Sequence, residues 1–337
     1  MKYIMILLTC LIISGCSKKE EYSKNMFYMD TYINVKIFTN NGKKAKEALD
    51  KADKIYNKYQ NLSNAYDENS TLYKLNHNQS NEEYIEVDKD LYKLLKLGDQ
   101  WYKKSNGLFN INMGNLLSVW KDNPKELPNV DDITIYPFEI KDGLIKNENL
   151  YLDLGAITKG YATEEVGNYL ESIGFDYYLI NAGGNIKVGK NATRGYYNIG
   201  VENPEKKGIN YTVISGNDIS VVTSGGYERF YEINGKKYHH IIDPNTKYPA
   251  NNSLSTTVVT KNSSLADILS TTLFLMEPND AIKFVNKIDD VEAIIYVNED
   301  KILKSKGFNK YEQKWFCINR IFNSYYFINF YSSLFWK

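Results

Sequence analysis

Hydrophobic positions along the chain fall into two periods. Ala45, Leu49, Ala52, Ile55 and Tyr59 recur at steps of three and four residues and predict a helix over 43–60. The same spacing predicts helices over 88–104, with Leu91, Leu94, Leu95 and Trp101 on the apolar side, over 161–173 through Ala162, Val166, Leu170 and Ile173, and over 264–276. Alternating or short unbroken apolar runs predict strands at 26–39, 177–181, 196–201, 211–214, 218–223, 229–233, 255–260 and 292–297. Strands gather after residue 175 with helices scattered among them, the pattern of an α+β fold with mainly antiparallel sheets and flanking helices. The part of the chain before them reads as a more helical lobe. No internal repeat or low-complexity block interrupts it.

The first 16 residues, MKYIMILLTCLIISGC, do not fit this pattern. A lysine is followed by an apolar run shorter than the roughly 20 residues that span a bilayer, then by small residues and a cysteine, which is the build of a secretory signal. Ile13-Ser14-Gly15-Cys16 resembles the lipobox of bacterial lipoproteins, which makes Cys16 the expected lipidation site and first mature residue. An ordinary cleaved signal or a short anchor is the alternative. The expected location is the extracytoplasmic face of the cell membrane, and the polar residues 17–25 read as a tether between lipid and domain.

Composition narrows the function. The 337 residues carry 41 basic and 41 acidic side chains, with a pI near 6.8 and a mean hydropathy of −0.46. This describes a soluble globular body without the excess positive charge on which nucleic-acid affinity rests. Only Arg194, Arg229 and Arg320 are arginines, so anions are expected to meet backbone N–H groups, lysine or a metal rather than arginine forks. The three cysteines, Cys10, Cys16 and Cys317, cannot build a disulfide framework.

Four clusters could carry chemistry. Asp153-Leu154-Gly155-Ala156-Ile157-Thr158-Lys159-Gly160 joins an apolar strand to a helix, a turn that is either a phosphate cradle or purely structural. Asn181-Ala182-Gly183-Gly184-Asn185 is either a tight hairpin turn or a place of close ligand approach. In the run from Thr223 to Pro249, Ser224-Gly225-Gly226 is expected to open a strand, and Asn234-Gly235 signals a hairpin. The returning strand carries His239, His240 and Asp243-Pro244; neighbours on a strand face opposite ways, so only one histidine is expected to face a pocket. Finally, Asp267 and Thr271 lie one helical turn apart. They suit either a hard cation sharing its shell with a phosphate or ordinary helix back-bonding.

In order along the chain, Met29-Asp30-Thr31, SNAYDENSTLYKLN (63–76), SNGLFNINMGNLLSVW (105–120), DLGAITKGYATE (153–164), INAGGNI (180–186), IGVENP (199–204), TSGGYERF (223–230), HHIIDPNTKYPA (239–250) and ADILSTT (266–272) resemble the motifs of the FAD:protein FMN transferase (ApbE) family. The resemblance implies a two-lobed fold with FAD in the cleft between lobes and Mg²⁺ at its pyrophosphate. It implies transfer of FMN through a phosphoester to a Thr or Ser of an exported flavoprotein, a subunit of a membrane redox complex, with release of AMP. Carried over by motif, Ala156 through its carbonyl, Asp267 and Thr271 hold the metal; Met29, Tyr66, Asp153, Lys159 and Ile242 line FAD; His240 is the base. The alternatives are an FAD pyrophosphatase yielding free FMN, and a flavin-binding lipoprotein without turnover.

The chain departs from the family pattern at Lys247, where glycine is usual after Asp-Pro-x-Thr, and at Gly226, where Asp or Asn is common. Ser270 stands where some members carry a further acidic residue and is not counted as a ligand. The resemblance ends near Gly307, so the catalytic unit is placed at 26–307. The aromatic segment 308–337 is left as a tail that either packs on the domain, lies apart or faces the membrane.

Overall fold

A computed structural model describes residues 19–313 except 79, 123–125, 194 and 228. The leader with Cys16 and the segment 314–337 with Cys317 lie outside the described residues. The chain runs β1 (Glu20–Tyr28), β2 (Thr31–Thr39), α1 (Gly42–Ser63), α2 (Thr71–Asn76), β3 (Tyr84–Ile85), α3 (Lys89–Lys104), α4 (Gly114–Asp122), β4 (Ile140–Lys141), β5 (Leu144–Lys146) and α5 (Thr158–Ser172). It continues β6 (Tyr178–Ala182), β7 (Asn185–Val188), β8 (Tyr197–Asn203), β9 (Lys206–Gly216), β10 (Ile219–Gly225), β11 (Phe230–Ile233), β12 (Lys236–His239), β13 (Ser255–Thr260), α6 (Ser263–Leu275), α7 (Pro278–Val285), β14 (Glu292–Asn298) and β15 (Lys301–Lys304).

Eight strands form one antiparallel sheet in the order β1-β2-β6-β7-β10-β13-β14-β15. Its central strands are apolar on both faces. Ile180, Val222, Val258 and Ile295 point into a core shared with α1, α5, α6 and α7. Their neighbours Leu179, Val221, Val259 and Ile294 point into a second core capped by the β8–β9 hairpin and Phe308. A strand covered on both sides needs no polar face, which is why 255–260 is buried throughout. Burial of each such side chain contributes roughly 1.5–3 kcal/mol, so the rigid part of the molecule is the middle of this sheet.

Helix starts follow local capping chemistry. Asn41, Ser70, Asp88 and Asn262 each accept a hydrogen bond from a first-turn N–H of α1, α2, α3 and α6. α5 has no side-chain cap, and its first turn is served from elsewhere in the fold, as described below.

Several expectations change. The predicted strand over 26–39 is two strands folded back on each other, because Met29 and Asp30 adopt left-handed φ of 53° and 54°. Residues 20–25 are not a tether: Glu20 already pairs with Thr39, and the strand is retained by nine consecutive partners. α1 packs on β1, β2 and α5, so it belongs to the helical layer of the main sheet rather than to a separate helical lobe. Ser224-Gly225 closes β10 instead of opening a strand. Phe308–Lys310 forms a 3₁₀ turn, and Tyr311 and Gln313 bond to Ser215 and Val213, so the domain continues past 307. Among the described residues, no helix is long and apolar enough to cross a membrane.

Candidate active site

The start of α5, the middle of α6, the end of β10, the β1–β2 turn, α4 and the chain leaving β12 surround a cavity of about 590 Å³. Met29, Tyr66, Asp153, Ala156, Lys159, His240, Ile242, Asp267 and Thr271 all line it. These nine residues span 243 positions of sequence, and the fold brings every one of them to the same cavity.

Asp267 is 5% exposed. Its Oδ2 accepts the N–H of Gly160 at 2.7 Å, and its Oδ1 lies 3.4 Å from Lys159 Nζ. A buried carboxylate thus stands at the uncapped N-terminus of α5, where the helix dipole and a free N–H favour negative charge. Gly160 is needed for this approach, since a Cβ there would lie 2.4 Å from Asp267 Cβ and 2.6 Å from the Ser263 carbonyl oxygen. One turn later Thr271 Oγ1 is 3.3 Å from Ser224 Oγ, which also meets Ser270 Oγ at 2.8 Å. Ser270 donates to the Asp267 carbonyl and is fully buried, so its hydroxyl braces the helix.

The turn at 153–160 is a poorer N–H cradle than expected. Gly155 N–H is spent on Asp153 Oδ1, Ile157 and Thr158 N–H on the Leu154 carbonyl, and Gly160 N–H on Asp267. Anion binding at this wall therefore falls more to Lys159 than to backbone. Asn181–Asn185 is the tight turn between β6 and β7, with Gly183 and Gly184 at φ of 52° and 89°; Gly183 also borders the cavity.

On the opposite wall, Tyr66 OH donates to Asp153 Oδ2 at 3.1 Å, and Lys121 Nζ sits 3.5 Å above the Tyr66 ring. Met29 N–H donates to Gln60 Oε1 at 2.8 Å. Ile242 is buried with Met113, Leu116, Trp120 and Val130. Trp120 Nε1 donates to the Lys247 carbonyl, fastening α4 to the loop after His240. Lys247 holds φ at +62°, the conformation for which glycine is usual, and its Nζ reaches the carbonyls of Val130 and Asp131. Gly226 has its own reason: a Cβ there would meet the His239 ring at 2.4 Å.

The two histidines separate as the strand pleat requires. His239 turns away, packs edge-on against Phe274 and donates from Nε2 to the Ala250 carbonyl at 2.7 Å. His240 borders the cavity. Desolvation first, then the Arg229 guanidinium, push its pKa down to about 3, with His239 and Lys159 acting in the same direction and the bond to the Arg229 carbonyl opposing them. His240 is exposed to the cleft, and a pKa held below the ordinary 6.5 leaves the ring neutral at pH 7 and able to accept a proton.

The donor set at Asp267 suits a hard divalent cation. Its carboxylate and the Thr271 hydroxyl are oxygen donors on one face of α6, Ala156 lines the same cavity, and Asp267 Oδ1 is paired only with Lys159 at 3.4 Å. No group of three or more His, Cys, Asp or Glu stands together among the described residues.

Sequence reasoning missed Arg229, Gln60, Lys121, Trp120 and Ser224 as cavity residues. Arg229 had a signal, being one of three arginines and part of TSGGYERF. Ser224 shares that motif and Trp120 closes SNGLFNINMGNLLSVW, whereas Gln60 and Lys121 had no signal, because only the fold brings them to the cavity.

The chain is 28% identical over 323 residues to an FAD:protein FMN transferase of Treponema pallidum, covering 87% of this chain and 89% of that one. It is 30% identical over 264 residues to one of Haemophilus influenzae, covering 72% and 76%. The fold matches the crystal structure of the ApbE protein of Thermotoga maritima with a TM-score of 0.78 at 25% identity, over 88% of this chain and all of that one. The flavin transferase ApbE of Vibrio cholerae gives 0.76 at 25% identity, over 87% and 99%. Residues 29–295 match the profile described as the ApbE family, a span that holds all nine of the cavity residues expected from the sequence. The chain belongs to the ApbE family.

Proposed function

We propose that this protein is an FAD:protein FMN transferase, joining FMN from FAD to a Thr or Ser hydroxyl of an exported flavoprotein and releasing AMP. The observation that carries the reading is the convergence of a neutral histidine, His240, with Asp267, Thr271 and Lys159 on one cavity. The difficulty of the reaction is twofold: a neutral hydroxyl is a weak nucleophile, and the pyrophosphate it attacks is already negative. His240 addresses the first by taking the hydroxyl proton as the new oxygen–phosphorus bond forms. The bond from that phosphorus to the bridging oxygen breaks, and the electron pair leaves with AMP. Lys159 addresses the second by placing an ammonium beside the phosphates.

Asp267, Thr271 and the Ala156 carbonyl would hold Mg²⁺, which supplies charge neutralisation at the phosphate oxygens. Met29, Tyr66, Asp153 and Ile242 would line FAD, with Tyr66 and Ile242 offering aromatic and aliphatic surface and Asp153 an acceptor. Lipidation at Cys16 would hold the enzyme on the extracytoplasmic face of the membrane, beside acceptors in membrane redox complexes. The test is incubation of the purified protein with FAD, Mg²⁺ and a candidate acceptor. Covalent flavin on the acceptor with one AMP released per flavin supports transfer; free FMN accumulating while the acceptor stays unmodified rejects it in favour of hydrolysis, and FAD recovered intact rejects both.

A further inference from the structure

We infer that Arg229 is a positioning residue for the transfer step: its backbone carbonyl holds His240 in the Nδ1–H tautomer, and its guanidinium braces that carbonyl against the turn between β1 and β2. The inference rests on His240 acting as the base.

The tautomer follows from the partners. His240 Nδ1 lies 3.2 Å from the Arg229 carbonyl oxygen, and the same oxygen accepts the His240 backbone N–H at 3.3 Å. A carbonyl only accepts, so Nδ1 carries the single proton of the neutral ring and Nε2 is left with a bare lone pair. His239 next to it is fixed in the opposite form. Its Nε2 donates to Ala250 and its Nδ1 accepts the Ile241 N–H at 3.2 Å, so both of its nitrogens are engaged. Of these two adjacent imidazoles, His240 alone presents a nitrogen ready to take a proton.

What fixes the Arg229 carbonyl is the other end of the same residue. Arg229 Nη2 donates to the Asp30 carbonyl at 3.2 Å and to Thr31 Oγ1 at 3.0 Å, across nearly two hundred residues of sequence. That turn is itself stiff. Met29 and Asp30 are both left-handed, Met29 N–H is held by Gln60, and Thr31 is 3% exposed with its Cγ2 pressed where a Cβ on Gly183 would lie 2.2 Å away. The base is thereby tied to the first hairpin of the domain. The charged groups facing the ring are Arg229, His239 and Lys159, all cationic when charged, and Arg229 acts most strongly of the three.

The test uses ¹⁵N-histidine NMR and flavin-transfer kinetics on the full chain, where only His77, His239 and His240 give signals. In the wild type the His240 shifts should report Nδ1–H, and those of His239 should report Nε2–H. Arg229→Gln should mix the His240 tautomers, raise its titration midpoint by about one unit or more, and lower kcat about tenfold to a hundredfold. Arg229→Lys should keep the low midpoint but not restore kcat. Thr31→Val, which removes one acceptor and no charge, should lower kcat with the midpoint unmoved and with partial tautomer mixing. A wild-type His240 in the Nε2–H form overturns the inference, as does Arg229→Gln with tautomer and midpoint unchanged. If Arg229→Gln does not fold, a wild-type spectrum in Thr31→Val overturns it. Because the spectra need no turnover, the expected spectra in a protein that modifies no acceptor would reject the proposed function, and with it the role in transfer, while leaving the His240 tautomer and its bracing by Arg229 standing.

Discussion

Asp267 and Gly160 are 107 residues apart, and the carboxylate of the first caps the helix of the second with a 2.7 Å hydrogen bond. The bond couples two roles in one side chain. Asp267 satisfies an orphan N–H at the start of α5, and it presents its other oxygen to the cavity wall.

Gly160→Ala should test that coupling. The new Cβ collides with Asp267 Cβ and the Ser263 carbonyl, so α5 and α6 must move apart. We expect a loss of about 1–3 kcal/mol, read by thermal unfolding, together with a weaker Mg²⁺ dependence of activity. Unchanged stability would show that the helices separate freely.

Asp267→Ala should abolish metal-dependent transfer while FAD binding persists in part, because Tyr66, Asp153 and Lys159 remain. Chelation of the wild type should produce the same loss, reversed by added Mg²⁺. Flavin transfer at the wild-type rate in Asp267→Ala would remove this residue from the metal site.

His240→Ala should slow transfer about 10²- to 10⁴-fold without weakening Mg²⁺ binding. The depressed pKa has two consequences of definite sign. The imidazole stays neutral far below pH 6, so kcat/KM should show no fall on the acid side between about pH 5 and 7 from this group. For stability, the folded pKa lies below the unfolded value near 6.5, so the contribution of a neutral His240 is fully present above pH 6.5. It is lost as pH falls toward the folded value of about 3. Acid unfolding of His240→Ala should be correspondingly less steep over that range; an identical profile would show that the ring protonates freely in the native state.

Lys247 predicts an ordering of variants. Lys247→Ala keeps a side chain at φ +62° and loses the contacts to Val130 and Asp131, whereas Lys247→Gly loses the contacts and relieves the backbone. Alanine should therefore be less stable than glycine by about 1–2 kcal/mol. Equal unfolding midpoints would mean that the turn relaxes.

The longer helices were legible: α1 and α3 with their apolar stripes, α5, and the α6 buried nearly all round begin and end within three residues of their predicted bounds. α2, α4 and α7 were not, because six to nine residues give too few turns for a periodic signal. The Met29–Asp30 reversal hid inside an alternating run, since left-handed non-glycine residues carry no distinctive spacing. All nine site residues reach the cavity, and they were found from motif resemblance rather than from periodicity. Which histidine faces inward needed the pleat and its register, which only the β11–β12 pairing supplies. Lys121 over Tyr66 and the Gly160–Asp267 cap depend on elements distant in sequence, and no local pattern announces them.

The early start of β1 sets a length. From Cys16 to Glu20, the first residue paired into the sheet, there are four Cα steps of about 3.8 Å, so a lipid on Cys16 leaves a leash of about 15 Å. On the proposed lipid anchor, so short a leash would make the catalytic body ride on the bilayer and sweep only a thin layer above it. Acceptor hydroxyls presented close to the headgroups fall within that layer, and those on tall soluble domains do not. Inserting a flexible spacer before Glu20 should widen the range of acceptors modified on intact membranes while leaving turnover in detergent unchanged.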